Sequence, residues 1–129
     1  KGQITEAILS NNDNLKKIIK IIHKEIRKKM KLFLKKNKDK KIVILDIPLL
    51  LENKINNKKD ILVFVDSKKK DIEKRLKKRQ NFNSELFNQF KKNQISVYYK
   101  KKISHYIIKN DFTKKSVKKG IKNILNAIL

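Results

Sequence analysis

Two short, unbroken apolar runs stand out along the chain, one ending in Asp46 and the other followed directly by Asp66. Continuous apolar runs of this length are typical of strands covered on both faces, as in a parallel sheet. We therefore predict strands over 42–46 and 61–65. Open α/β sheets bind ligands beyond the carboxyl ends of their strands, so Asp46 is expected to face a ligand. Pro48 is expected to end the strand pairing and turn the chain.

Apolar residues at helical spacing occupy most of the remaining chain. A long helix is predicted over about 14–36 from one apolar stripe, Ile18, Ile22, Ile26, Met30 and Phe33. The other predicted elements are a short helix at 4–9, a helical turn at 49–54, helices over 68–78, 83–102 and 113–128, and a strand at 106–108. Strands alternating with helices indicate a three-layer α/β domain with a mainly parallel sheet. A length of 129 residues suits one domain or part of one.

The composition narrows the class of protein without deciding it. The chain has no cysteine, which excludes disulfides and thiolate metal sites. No apolar stretch approaches the roughly 18 residues that a membrane span needs. The net charge of +24 favours anionic partners, either small substrates such as nucleotides or, as an alternative, nucleic acid bound by a basic module. Because lysines are spread over every predicted element, we expect no specific nucleic-acid partner.

Two arginines are the clearest candidates for binding phosphate. Arg75 and Arg79 are spaced i,i+4 in a chain that uses lysine almost everywhere, and this spacing predicts that they share a helix face. A guanidinium group binds phosphate in a planar, two-pronged way that an ammonium group cannot reproduce. The alternative is a solvated helix face that pairs with nearby acids.

Three further polar residues have both a functional and a structural interpretation. Asp46 can hold a metal-bound water or orient a substrate hydroxyl, or it can only cap a turn. His23 lies beside the apolar stripe of the long helix and is expected to be a partly buried packing residue. Asn110 follows a predicted strand, where an asparagine commonly forms a turn.

Several segments, taken in chain order, resemble segments of one enzyme family. The segment 42–52, Ile-Val-Ile-Leu-Asp-Ile-Pro-Leu-Leu-Leu-Glu, looks like the Asp-Ile-Pro-Leu-Leu-Phe-Glu segment of dephospho-coenzyme A kinases. Arg75-Leu-Lys-Lys-Arg79 resembles the arginine-rich entry to the lid of these kinases. The segment 104–110, Ser-His-Tyr-Ile-Ile-Lys-Asn, is similar to their Ala-Asp-x-Val-Ile-Asp-Asn segment. Upstream, Ile-His-Lys-Glu-Ile at 22–26 corresponds to their His-Pro-x-Ile.

The resemblance implies a P-loop kinase fold and a cytoplasmic enzyme that binds small molecules. The implied reaction is the ATP-dependent phosphorylation of the ribose 3′-hydroxyl of dephospho-coenzyme A, the last step of coenzyme A synthesis. ATP and Mg²⁺ are implied, with no metal ligand assigned to this chain. The implied site residues are Asp46 and Arg79 as catalytic, Arg75, Arg79 and Asn110 at ATP, and His23 and Glu52 at the acceptor substrate.

The chain departs from the family in one large respect. It has only two glycines, and no Gly-x-x-x-x-Gly-Lys-Ser/Thr segment, whose backbone N–H groups would cradle phosphate. We therefore interpret residues 1–129 as the carboxyl-terminal two-thirds of a single kinase domain, with a lid-like helical segment at about 75–102. We expect this part to be inactive alone. Another P-loop nucleoside or nucleotide kinase remains an alternative.

The missing part has a predicted structural consequence. In the family's sheet, the first strand lies between the strands that correspond to 42–46 and 61–65. Without it, both strands would have edges with unpaired backbone groups, which invite aggregation or pairing with another chain. We expect the two runs to be either separated or forced together.

Overall fold

A computed structural model describes residues 2–129, without the side chain of Asn12. These residues form six helices and two strands: α1 (Gly2–Ser10), α2 (Asn12–Lys36), β1 (Val63–Asp66), α3 (Lys69–Lys77), α4 (Ser84–Lys92), α5 (Val97–Ile103), β2 (Tyr106–Lys109) and α6 (Lys114–Ile128). No helix in this range is long and apolar enough to cross a membrane.

The chain divides into two compact units. The first, here called the helical unit, comprises the residues up to Asn56 together with Ser84–Gln94, and it contains α1, α2 and α4. The second, here called the sheet unit, comprises Asn57–Asn83 and Ile95–Leu129, and it contains both strands with α3, α5 and α6.

In the helical unit, α1 packs against α2 and α4. The start of α2 is set by Asn11, whose backbone is extended and whose side-chain oxygen accepts a hydrogen bond from the Asp13 N–H at 2.8 Å. This is an N-cap, and it satisfies one of the backbone donors that a helix start leaves unpaired. Ile8 and Leu15 are the buried apolar side chains of α1 and α2.

The long helix is confirmed, but part of its predicted apolar stripe is wrong. Ile22 and Phe33 are exposed, whereas Leu15 and His23 are buried. The burial of His23 confirms its prediction as a packing residue. The stripe is misplaced because the apolar residues of α2 extend around more of the helix than one packed face can cover.

The predicted strand over 42–46 is wrong. Residues 42–47 have no regular secondary structure, and Ile44 is 83% exposed. A strand needs a neighbour to pair its backbone groups, and among residues 2–129 the sheet consists of β1 and β2 alone. The two apolar runs are therefore not paired with each other. The helical turn predicted at 49–54 does form, with the Asn53 N–H donating to Leu49 O at 3.1 Å.

In the sheet unit, β1 and β2 pair in parallel, with Val63 opposite Tyr106 and Asp66 opposite Lys109. Both strands confirm the predictions from their apolar runs. The pairing continues on the amino-terminal side, where His105 Nδ1 accepts a hydrogen bond from the Leu62 N–H at 2.9 Å. Parallel neighbours need a long crossover connection, and here it contains α3, α4 and α5.

The last helix packs on the second strand through a glycine. A Cβ atom placed on Gly120 of α6 would lie 2.9 Å from Ile108 Cγ2 of β2. Glycine in a helix interior lowers helix stability by about 1 kcal/mol relative to alanine. Its presence here is explained by the close approach that it permits to the buried Ile108 side chain.

The single helix predicted over 83–102 is also wrong, because it is interrupted between Lys92 and Val97. Asn93 Nδ2 donates to Gln89 O at 2.9 Å, which takes a carbonyl near the end of α4. Ser96 Oγ then accepts from the Tyr99 N–H at 3.2 Å and caps α5. The apolar periodicity runs across this break, so the stripe alone could not reveal it.

Candidate functional site

The carboxyl ends of β1 and β2 lie at the same edge of the sheet, here called the carboxyl edge, because the strands are parallel. Asp66 ends β1, and its backbone oxygen accepts from the Asn110 N–H at 2.7 Å. The Asp66 carboxylate accepts from Lys101 Nζ at 2.8 Å, with the two side chains 30% and 37% exposed. This edge is where open parallel sheets bind ligands. The negative charge of Asp66 at this edge is therefore paired with the positive charge of Lys101.

Phe112, just after β2, contacts both Asn110 and Arg75. Asn110 Oδ1 accepts from the Phe112 N–H at 2.8 Å, which confirms the predicted turn-forming role of Asn110. Phe112 has a φ of 64°, a conformation that a bulky residue rarely adopts. The turn places the Phe112 ring 4.5 Å from the Arg75 guanidinium carbon, within the range of a cation–π contact.

Arg79 does not share the helix face of Arg75. Helix α3 ends at Lys77, and the Arg79 N–H donates to Leu76 O at 3.0 Å in the bend that follows. The predicted i,i+4 pair on one face is therefore wrong, because the helix stops before its second member.

Asp111 is held by the start of α6. Its carboxylate accepts hydrogen bonds from Ser116 Oγ, from Thr113 Oγ1 at 2.7 Å and from the Thr113 N–H at 2.9 Å. These bonds, with that from Ser116 the largest cause, lower the pKa of Asp111 from its usual 3.8 to about 2. The lowered pKa reflects an exposed capping network rather than a catalytic acid.

We expect an NMR titration of the Asp111 carboxyl group to show a midpoint near 2. Because the folded pKa is below the unfolded value, its stabilising contribution is present above pH 3.8 and is lost as pH falls through about 2. Ser116→Ala removes the largest cause and should move the midpoint toward 3.8. An unsubstituted chain that titrates at 3.8 would contradict this network.

The helical unit contains a cavity of about 590 Å³, here called the basic cavity, between α2 and the turn at 48–54. Both acceptor-side residues named from the sequence, His23 and Glu52, line it. Its other lining residues are the basic Lys16, Lys20, Lys24 and Arg27, together with Ile19, Leu49, Asn53 and Asn93. A mixture of apolar walls and a few converging polar groups is typical of small-molecule sites.

Two contacts tie the turn to α2 beside this cavity. Arg27 Nη2 donates to Asn53 O at 2.6 Å, and Asn53 Nδ2 lies 3.1 Å from His23 Nε2. His23 is only 6% exposed. These contacts of Asn53 hold the turn beside α2, so Glu52 and His23, which are far apart in sequence, line the same cavity.

The remaining predicted site residue, Asp46, is exposed in the irregular segment 42–47. Its predicted position at the end of a paired strand is wrong because that strand does not form. Sequence reasoning also missed Arg27, Asn53 and Lys101. Two signals were available: Arg27 is one of three arginines, and Asn53 directly follows Glu52 in the segment that carries the resemblance.

Basic side chains gathered at the carboxyl edge and around the basic cavity are typical of a protein that binds phosphorylated ligands. The sequence model of the dephospho-CoA kinase family matches residues 1–116. The chain belongs to this family.

Individual relatives support the same family assignment. The chain is similar to a dephospho-CoA kinase of Wolbachia pipientis wMel, with 31% identity over 134 residues that cover 98% of this chain and 68% of the relative. A dephospho-CoA kinase of Bacillus cereus is 32% identical over 129 residues, covering 97% and 64%. One from Bartonella henselae is 31% identical over 110 residues, covering 84% and 56%. The chain thus spans about two-thirds or less of the length of these relatives.

Proposed function

We propose that this chain forms the acceptor-binding and lid part of an enzyme that phosphorylates the ribose 3′-hydroxyl of dephospho-coenzyme A with ATP, giving coenzyme A. The observation that carries this proposal is the family match over residues 1–116. The match favours this function over the alternatives of a nucleic-acid-binding module or another P-loop kinase. Its substrates are then small molecules and its location the cytoplasm.

The proposed roles of the side chains follow the family resemblance. Arg75 and Arg79 contact the phosphates of ATP, and Arg79 stabilises the charge that develops as the phosphoryl group moves. Asn110 lies beside the adenine. Asp46 acts at the acceptor hydroxyl, and the acceptor itself binds beside His23 and Glu52. Support for the last two comes from their common position at the basic cavity.

We also propose that residues 1–129 are part of a three-layer P-loop fold with a mainly parallel sheet, of which β1 and β2 are the two strands that pair here. We further propose that residues 1–129 belong to a single domain and that the helical segment at about 75–102 forms its lid.

The family also implies Mg²⁺, but the side chains described here do not fit it by themselves. Within residues 2–129 there is no group of three or more histidine, cysteine, aspartate or glutamate side chains that could hold a metal ion. Asp66, the acid at the carboxyl edge, is paired with Lys101. We therefore assign no step of the reaction to a metal held by these residues.

The test is a chimera that joins the amino-terminal third of the Wolbachia pipientis wMel relative, where the family resemblance places the phosphate cradle, to residues 1–129. We expect the chimera to form coenzyme A from ATP and dephospho-coenzyme A at about 1–100 per second, as kinases do. Residues 1–129 alone should form none above background, because they contain no Gly-x-x-x-x-Gly-Lys-Ser/Thr segment.

The control is the relative's amino-terminal third alone, which should also be inactive. A folded chimera that leaves dephospho-coenzyme A unchanged would overturn the proposed function. Turnover by residues 1–129 alone would overturn the expectation that this part is inert.

A further inference from the structure

Phe112, in the turn between β2 and α6, has a backbone conformation that its side chain disfavours. Its φ of 64° lies in the left-handed region, which a bulky residue rarely adopts. The side chain is also 41% exposed, so burial of the ring explains only part of its presence there. Strained residues persist where the surrounding structure determines them, and they cluster at binding sites. The strained position of Phe112 therefore points to a role for the ring itself.

Hydrogen bonds on both sides of Phe112 hold the turn in place. The Asn110 N–H donates to Asp66 O at 2.7 Å, and Asn110 Oδ1 accepts from the Phe112 N–H at 2.8 Å. On the other side, the Thr113 N–H donates to a carboxylate oxygen of Asp111 at 2.9 Å. The turn is thus anchored to the carboxyl edge of the sheet by contacts that do not involve the ring.

Arg75 contacts this anchored ring from α3. It is an exposed residue in the last turn of a nine-residue helix, and its guanidinium carbon lies 4.5 Å from the centre of the Phe112 ring. The neighbouring acid Glu73 lies instead 3.9 Å from Lys69. An exposed arginine otherwise samples many rotamers, and ordering it when a ligand binds costs free energy. A contact that already holds the guanidinium group lowers that cost.

The positive charge of Arg75 remains available to an anion. Of the acids at this edge, Asp66 is paired with Lys101, and the Asp111 carboxylate accepts from hydroxyl groups at the start of α6. A guanidinium group has five N–H donors in a planar fork, and it can rest its face on a ring while its edges bind phosphate. The carboxyl edge, where open parallel sheets bind ligands, thus presents a cation that an aromatic ring holds in place.

We infer that Phe112 is a positioning residue, whose ring holds the Arg75 guanidinium group at the carboxyl edge in a position to bind the phosphates of a nucleoside triphosphate. Phe112 acts through Arg75 and does not itself contact the phosphates. The inference rests on the proposed function in identifying the ligand as ATP. The coupling between Phe112 and Arg75 in phosphate binding can be tested without it, on residues 1–129 with inorganic tripolyphosphate.

The contact itself is tested by the side-chain NMR signals of the arginines. Phe112→Leu keeps an apolar side chain but removes the ring, so it should shift the Nε–H signal of Arg75 and leave that of Arg27 in place. Phe112→Tyr keeps the ring face and should leave the Arg75 signal near its original position. Arg75→Gln assigns the signal by its disappearance. An Arg75 signal that does not move in Phe112→Leu would overturn the inference.

Calorimetric titration with tripolyphosphate at constant ionic strength measures the consequence for binding. Phe112→Leu should weaken binding about 3-fold, because the guanidinium group is no longer held by the ring. This variant keeps the net charge of +24, so general attraction to a polyanion cannot account for the loss. Arg75→Gln should weaken binding about 10-fold. Its matched control, Lys122→Gln, removes equal charge from an exposed position about 12 Å along α6 from its first residue and should stay within about twofold.

Combining the two substitutions separates positioning of Arg75 from a general effect on the turn. If Phe112 acts through Arg75, Phe112→Leu should change the affinity of Arg75→Gln for tripolyphosphate by less than about 1.5-fold. The same loss in both backgrounds would refute the positioning role, and so would a Phe112→Tyr variant that binds as weakly as Phe112→Leu. The amide signals of β1 and β2 are the control for folding. Phe112→Met, which is also apolar and without a ring, replaces the leucine variant if that one does not fold.

The outcomes also separate this inference from the proposed function. If tripolyphosphate binding shows the coupling but the chimera is inactive, the positioning of Arg75 by Phe112 stands and the kinase proposal falls. In an active chimera, Phe112→Leu should raise the KM for ATP about 3-fold and leave the KM for dephospho-coenzyme A unchanged. An active chimera whose KM for ATP is the same with and without the ring would show that the inference alone is wrong.

Discussion

Replacing Arg79 by alanine in the chimera is expected to lower kcat for coenzyme A formation by about 10³-fold. An arginine that contacts the transferring phosphoryl group stabilises negative charge present mainly in the transition state, and such arginines contribute about 10³–10⁵ in kcat. The KM for dephospho-coenzyme A should change little, because Arg79 is proposed to act on the phosphates. Steady-state kinetics with both substrates varied measure the two effects separately.

Two further variants make this result specific. Arg79→Lys keeps the charge but loses the planar donor pair, so it should recover only a small part of the activity. Lys77→Ala removes a neighbouring exposed cation at the end of α3 and should leave kcat within about twofold. A loss of less than tenfold in Arg79→Ala would remove Arg79 from the catalytic residues.

Replacing Leu15 by alanine is expected to destabilise the helical unit by about 2–5 kcal/mol, the usual cost of deleting a buried leucine. Leu15 is 2% exposed, and it is one of four buried apolar side chains among residues 2–129. A loss of this size is a large fraction of the stability of a small domain. Urea denaturation followed by circular dichroism, together with amide exchange in α1 and α2, measures it.

The matched control is Leu32→Ala, on the same helix but 67% exposed. It should change the free energy of unfolding by no more than about 0.5 kcal/mol. Similar effects of the two substitutions would contradict the burial that the structure assigns to Leu15.

Helices with a local start signal were predictable from the sequence. Asn11 caps α2 and Thr113 caps α6, and these caps act through atoms only a few residues away. The interruption between α4 and α5 was not predicted, although Ser96 is a capping residue too. The apolar periodicity continues across this interruption, so periodicity alone predicts one continuous helix.

The two apolar runs look alike in the sequence, but only the second of them forms a strand. The run at 61–65 forms β1 because β2 supplies a parallel partner, whereas the run at 42–46 has no such partner among residues 2–129. A strand satisfies its backbone groups only through a neighbour, so its existence depends on residues elsewhere. This explains why Asp66 stands at a strand end and Asp46 does not.

The candidate sites show the same division. The sequence placed His23 and Glu52 on the acceptor side through resemblance, and the two do line one cavity. It could not reveal Asn53 as the partner of His23, because the contact spans 30 residues. It also predicted one helix face for Arg75 and Arg79, whereas α3 ends at Lys77 and does not include Arg79.

The order of residue types alone determined the family, most helix positions and the excess of positive charge, because these depend on local spacing and composition. Only the tertiary structure decided which apolar run became a strand, which nitrogen of His23 lies beside Asn53 and which cations surround one cavity. These features depend on contacts between distant segments, such as that of Arg27 with Asn53, and no local pattern encodes them.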